Sequence, residues 1–301
     1  MKTTRRERRE GVMLACERHG SGEPLVLVHG VTHRRQAWYP VLDRLTEHRE
    51  VILVDLPGHG QSPPLVTKGF PVEDVLRAEF KEFLTDQGLD RPHVAGNSLG
   101  GLIALGAGAE GDARSVTALS PAGFWRNNAE FAYTRAIFLR FCALSDRLGQ
   151  HAESFARSRA GRQVMYRVLC AHPGRVPVDQ AIGDARAFRY ARPALDILLR
   201  AAEPFDREIP ADVPVTIAWA ARDLVLPPWQ AARAKEVVPQ AEHLMMRGVG
   251  HVPMTDDPSY VAKVLLRGSA PAASIAPLHG ARPAKGRAGA RTHVAARAIG
   301  G

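Results

Sequence analysis

Gly96-Asn97-Ser98-Leu99-Gly100-Gly101 is the stretch whose setting decides the architecture. Residues 93–95 before it read as a short strand, and Leu99–Ala109 after it as a helix of small residues. A serine at a strand-to-helix turn, with glycine two positions to either side, is the G-x-S-x-G pattern of a nucleophile elbow. The spacing has a physical reason. The turn is sharp, so Ser98 is driven into a strained backbone conformation with its hydroxyl facing out. Its neighbours at 96 and 100 then come too close for a side chain. The helix that starts here also turns unpaired N–H groups and its positive dipole end toward that hydroxyl.

Working outward, the same alternation continues on both sides. Upstream, 12–17 reads as a short strand, Pro24–Val28 as a buried strand ending at His29-Gly30, and 51–54 as another ending at Asp55-Leu-Pro-Gly-His-Gly. Helical spacing occupies 36–47 and 72–87. Downstream, strands are expected at 116–119, 215–219 and 241–246, with a last helix at 258–267. Short continuous apolar runs alternating with helices mean a mostly parallel sheet covered on both faces.

The alternation breaks over 124–200. This stretch reads as several helices and holds 10 of the chain's 19 aromatic residues. A helical cap over a pocket is the expectation, with Phe124, Trp125 and Phe138 as candidate pocket residues. The division that follows is a core of 11–123 and 201–267, a cap of 124–200, a basic N-terminal tail of 1–10 and a disordered basic tail of 268–301.

A serine hydroxyl needs a base, and the base needs an orienting carboxylate. His251 follows the last strand within Gly248-Val-Gly-His-Val-Pro, and Asp223 follows the strand at 215–219. Functional groups of open α/β sheets sit at these carboxyl strand ends. Asp256 and Asp257 are rivals, but Asp257-Pro258 reads as a helix cap, and Glu203, Asp206 and Asp212 precede their strand, so Asp223 is the better acid. The oxyanion donors are expected to be the backbone N–H groups of Leu99 and of Val31, in the loop after Pro24–Val28. An imidazole base works only when neutral, so turnover is expected to rise with pH.

Composition excludes other classes. The chain has 301 residues, 45% hydrophobic and 24% charged, an ordinary globular composition. Its formal net charge of +9 resides in the two tails and in 124–200, whose 13 basic residues are all arginine. The remaining body is mildly acidic, so no specific nucleic-acid partner is expected. Three cysteines make no disulfide framework, and no zinc, P-loop or dinucleotide pattern stands at a suitable place, so neither metal nor cofactor is expected. No apolar leader opens the sequence and no apolar run is long enough to span a bilayer, so a cytoplasmic location is the expectation.

Four segments together resemble the α/β-hydrolase superfamily across about residues 11–267. They are Leu27-Val28-His29-Gly30, Asp55-Leu-Pro-Gly-His-Gly-Gln-Ser62, Gly96 to Gly101, and Gly250-His251-Val-Pro-Met-Thr-Asp-Asp-Pro258. The resemblance implies an eight-stranded, mostly parallel sheet and the chain order Ser98, Asp223, His251. It also implies that Asp55–Ser62 is a structural loop, with His59 packing rather than reacting. Serine in place of aspartate at the elbow argues against dehalogenase and epoxide-hydrolase chemistry. Ser120-Pro121-Ala122 leaves the alternative acid position, after the strand at 116–119, without a carboxylate. The expected function is serine hydrolysis of a small to medium apolar carboxylic ester, a small-molecule substrate. The alternatives are a carbon–carbon bond hydrolase acting on a diketone-type ring-cleavage product, with a cap arginine holding the substrate's acid, a perhydrolase, and a non-catalytic binding protein.

Overall fold

The computed structural model describes residues 13–270. Among them, seven strands form one sheet in the order β1-β3-β2-β4-β5-β6-β7. The strands are β1 (Cys16–His19), β2 (Pro24–Val28), β3 (Glu50–Val54), β4 (His93–Asn97), β5 (Ser115–Leu119), β6 (Val215–Ala220) and β7 (Glu242–Met246). Only β1 is antiparallel to its neighbour; every other pairing is parallel. The sheet therefore has seven described strands rather than the expected eight. Its first strand also starts later than position 12. The Ala15 N–H is taken by the Ser62 hydroxyl at 2.9 Å, so regular pairing begins only at Cys16.

Alternation along the strands builds two cores. Leu25 and Leu27 point to one face with α1 (Tyr39–Thr46), the short α10 (Pro253–Asp256) and α11 (Pro258–Gly268), through Val41, Leu45, Met254, Val261 and Leu265. Val26 and Val28 point to the other, with Phe80 of α2 (Val72–Asp86), Leu102 of α3 (Leu99–Ala109) and Ala234 of α9 (Gln230–Val237). Successive side chains on a strand face opposite ways, so one apolar run serves both layers. Gly268 closes α11 and Ser269 is buried, so positions 268–270 of the expected tail belong to the folded body. The rest of that tail, and residues 1–10, lie outside the described residues.

Between β5 and β6 the chain forms five helices: α4 (Asn128–Leu148), α5 (Ala152–Arg157), α6 (Arg159–Tyr166), α7 (Val178–Tyr190) and α8 (Arg192–Ala201). The Asn127 side chain caps α4 by accepting the Ala129 and Glu130 N–H groups, and the Ser158 hydroxyl caps α6 by accepting that of Gly161. Among the described residues no helix is long and apolar enough to cross a membrane.

The parallel registers align the carboxyl ends of the strands. Val28 lies beside Gly96, Asn97 beside Leu119 and Leu119 beside Ala218. The loops carrying Val31, Ser98, Asp223 and His251 thus leave one edge of the sheet. The loop after β3 braces that edge. Asp55, fully buried, accepts the Arg35 N–H at 2.6 Å and the Gln61 N–H at 3.0 Å, and it pairs with the Arg35 guanidinium. The Ser62 hydroxyl donates to the Asp55 carbonyl at 2.6 Å.

Two buried imidazoles complete the brace. His29 Nε2 accepts the Leu56 N–H at 3.1 Å, which fixes the proton on Nδ1, and Nδ1 donates to the Gly30 carbonyl at 2.7 Å. His59 donates from Nδ1 to the Pro57 carbonyl at 2.9 Å, and its ring lies 5.3 Å from that of His29. Burial holds the His29 imidazole well below its ordinary range and pushes His59 down to about 4. The unfolded chain takes up these protons near pH 6.5. Between there and about pH 4 the unfolded state holds more protons, so stability is complete above pH 6.5 and falls as the solution is acidified. The expected slope reaches about 1.4 kcal/mol per pH unit for each histidine. Urea unfolding at pH 7, 6 and 5 measures it, and His59→Asn should flatten it; a midpoint constant across that range would contradict this account.

Candidate active site

Ser98 sits at the junction of β4 and α3 with φ 58° and ψ −118°, a conformation that side chains seldom adopt. The close approach required there is visible on both sides. A Cβ on Gly96 would strike the Gly100 carbonyl, and one on Gly100 would strike the Val28 carbonyl. The Ser98 N–H donates to the Leu119 carbonyl at 3.0 Å, tying the turn to β5.

His251 and Asp223 are both buried and in direct contact. His251 Nδ1 donates to Asp223 Oδ2 at 2.8 Å. The other oxygen, Oδ1, accepts the N–H groups of Val225 at 2.9 Å and Leu226 at 2.8 Å. Both carboxylate oxygens are therefore held, and the group cannot rotate freely. With its proton on Nδ1, the His251 ring has Nε2 as its acceptor. After β5, where an alternative acid would stand, the Ser120 hydroxyl accepts the Ala220 N–H at 3.0 Å.

Ser98 lies where two cavities meet. The first, about 850 Å³ of free space counting its mouth, is bounded by Ser98, His251, Val31, Thr32 and His33 from the sheet edge. Phe138, Phe141, Leu144, Tyr166 and Phe188 from the helices between β5 and β6 close the opposite wall. The second, about 580 Å³ counted the same way, shares Ser98, Val31 and Phe138 and continues past Leu99, Leu102, Trp125, Leu198 and Leu226. Both walls are overwhelmingly apolar. Val31 thus borders both cavities and Leu99 the second, so the two expected oxyanion residues flank Ser98.

The expected pocket residues divide. Phe138 lines both cavities and Trp125 the second, but Phe124 lines neither. The chain turns inward at Gly123 (φ 96°), whose carbonyl accepts the Phe205 N–H at 2.8 Å. Phe124 is carried into the sheet core, its ring 5.8 Å from Phe205 and 6.1 Å from Trp219. Its aromatic character serves packing there.

Several contributors have roles that the sequence did not signal. Asn97 Nδ2 donates to the His251 carbonyl at 2.9 Å and to that of Leu119 at 3.1 Å, pinning the histidine loop to the elbow. Asp256, fully buried, accepts N–H groups from Gly250 at 2.8 Å, Ala171 at 2.8 Å and His172 at 2.7 Å. It clamps the histidine loop to the inserted helices. Asp184, on the first cavity's wall, accepts the Tyr166 hydroxyl at 2.7 Å and lies 3.5 Å from Arg34 Nε. Burial lowers the affinity of the cavity-lining His33 for a proton. Among the described residues no cluster of three or more His, Cys, Asp or Glu side chains is placed to hold a metal ion.

Comparison with known proteins agrees with this architecture. A family model described as "Alpha/beta hydrolase family" matches residues 25–264. Lipase 3 of Moraxella sp. (strain TA144) is 27% identical over 246 residues, 78% of this chain and 74% of that protein. Lipase 1 of Psychrobacter immobilis is 26% identical over 246 residues, 78% of this chain and 73% of its own length. In structure, the chain is similar to a thermophilic esterase from Thermogutta terrifontis, with a TM-score of 0.63 and 19% identity over 84% of this chain and 91% of the other. Through the match that runs from β2 into α11, this chain belongs to the alpha/beta hydrolase family.

Proposed function

We propose that the protein is a serine hydrolase that cleaves apolar carboxylic esters through an acyl-enzyme. Ser98 Oγ attacks the carbonyl carbon and its proton passes to His251 Nε2. Asp223 holds the ring and stabilises its cationic form. The Val31 and Leu99 N–H groups receive the oxyanion. The tetrahedral intermediate then collapses: the carbon–oxygen bond to the alcohol breaks, and His251 returns its proton to the departing oxygen. Water repeats the sequence and frees the acid.

The observation that carries this reading is the His251–Asp223 hydrogen bond of 2.8 Å at a cavity wall shared with a strained Ser98. The lipase relatives support an ester as the substrate class. The direction of proton return supports one assignment of the cavities. The leaving group must face His251, which borders the first cavity, and the acyl chain then extends into the second. No arginine lines either cavity among the described residues, so the cation that a diketone-acid carbon–carbon hydrolase would need is missing from both walls.

A panel of aryl and alkyl esters, set against one vinylogous diketone acid, tests the reading. Esters should turn over and the diketone acid should not. A fluorophosphonate probe should label wild type at Ser98 and leave Ser98→Ala unlabelled. Absence of labelling in folded wild-type protein would make it a binding protein instead.

A further inference from the structure

A third cavity lies behind the second, and the same side chains wall both. Glu73 of α2 with Leu99 and Leu102 of α3 border each of them. The third then follows α3 through Ile103 to Gly106 and opens beside exposed Pro204 and Arg207. Leu99 adjoins Ser98, and Gly106 lies seven residues further along the helix, about 10 Å at 1.5 Å of rise per residue. An extended alkyl chain advances about 1.25 Å per carbon with C–C bonds of ~1.5 Å, so roughly eight carbons cover that path.

The junction between them is closed by a few side chains. The Glu73 carboxylate accepts the Glu203 N–H at 3.1 Å, and the only other polar ties from this segment to α2 and the end of α3 among the described residues are exposed ion pairs of Arg207, with Asp74 at 3.8 Å and Glu110 at 3.4 Å. Leu99 and Leu102 are unbranched at Cβ and can change rotamer. Beyond them, Gly106 leaves room for the aliphatic stem of Arg77, which a Cβ there would meet at 2.9 Å.

We propose that the second and third cavities form one acyl channel along α3, gated by Glu73, Leu99 and Leu102. It takes unbranched acyl chains of about eight carbons or more, whose far end emerges beside Arg207. This rests on the assignment of the second cavity to the acyl group. It makes medium- to long-chain esters, rather than acetates or butanoates, the preferred substrates.

The test compares p-nitrophenyl butanoate with p-nitrophenyl decanoate. Wild type should favour decanoate in kcat/KM by about tenfold or more. Ile103→Phe, which fills only the rear cavity, should reduce the decanoate-to-butanoate ratio about tenfold, and Glu73→Leu should raise it severalfold. Gly106→Ala favours the helix and gives a smaller drop of about threefold, so it decides the matter should Ile103→Phe fail to fold. Titration calorimetry with decanoic acid supplies a readout without turnover. Decanoate binding weakened by Ile103→Phe, in a protein that cleaves no ester, would keep the channel and remove the catalytic reading. Ester cleavage with a chain-length ratio unchanged in folded Ile103→Phe and Gly106→Ala would remove the channel and keep the catalysis. Rejection by wild type of chains longer than about six carbons would also overturn it.

Discussion

Ser98→Ala is expected to lower kcat/KM for any cleaved ester by at least about 10⁴-fold while leaving the thermal midpoint almost unchanged. The residual rate would come from the oxyanion donors and the cavities alone, which the substitution leaves intact. Alanine keeps the Cβ, and with it the strain at φ 58°, so it neither relieves nor adds backbone energy. Ser98→Gly separates the two consequences of that conformation. A side chain held in such a region costs about 1–3 kcal/mol, and glycine gives back roughly 0.5–1 kcal/mol in chain entropy. Ser98→Gly should therefore be equally inactive but more stable by about 1 kcal/mol, read as a thermal midpoint raised by roughly 2 °C. Ester turnover by purified Ser98→Ala at more than a few per cent of wild type would remove Ser98 from the reaction.

What could be read from the sequence follows the range of the forces involved. The elbow is local: two glycines, one serine and the flanking periodicities specify a turn whose sterics involve residues a few positions apart. Asp223 and His251 were legible for a different reason. A parallel sheet sends every strand's carboxyl end to one edge, so residues 28 positions apart are drawn together by topology. The clamps had no such signal. Asn97 reaches a carbonyl 154 residues away and Asp256 an amide 85 residues away, and an isolated Asn or Asp carries nothing that distinguishes these contacts from a solvated side chain. Aromatic content pointed to the region that walls the cavities but not to the individual rings. Phe124 and Trp125 are adjacent, yet the turn at Gly123 sends the first into the sheet core and the second to the wall of the second cavity. Side-chain direction in an irregular segment depends on backbone torsions that hydrophobic pattern does not encode. The start of β1 shifted for a comparable reason, a hydroxyl 47 residues away taking the amide that would have begun the ladder.

Asp223→Asn should reduce kcat by about 10⁴-fold without unfolding the protein, and the loss follows from hydrogen-bond direction. Oδ1 is held by two backbone donors, the N–H groups of Val225 and Leu226. An asparagine must therefore keep its carbonyl oxygen there, because an NH₂ group facing two N–H donors would leave all of them buried and unpaired. Its NH₂ is then forced toward His251, in the place of the oxygen that now accepts from Nδ1 at 2.8 Å. The imidazole can answer only by losing its Nδ1 proton and carrying it on Nε2. That tautomer presents a donor to Ser98 where the reaction needs an acceptor, and the stabilising charge behind the imidazolium is lost as well. Volume and burial are conserved, so the thermal midpoint should move by a few degrees at most. Asp223→Ala lacks the misdirecting amide and leaves the ring free to sample both tautomers, so it should retain more activity than Asp223→Asn although it removes more contacts. A kcat for Asp223→Asn within tenfold of wild type, or an alanine variant slower than the asparagine one, would show that this carboxylate does not set the state of the base.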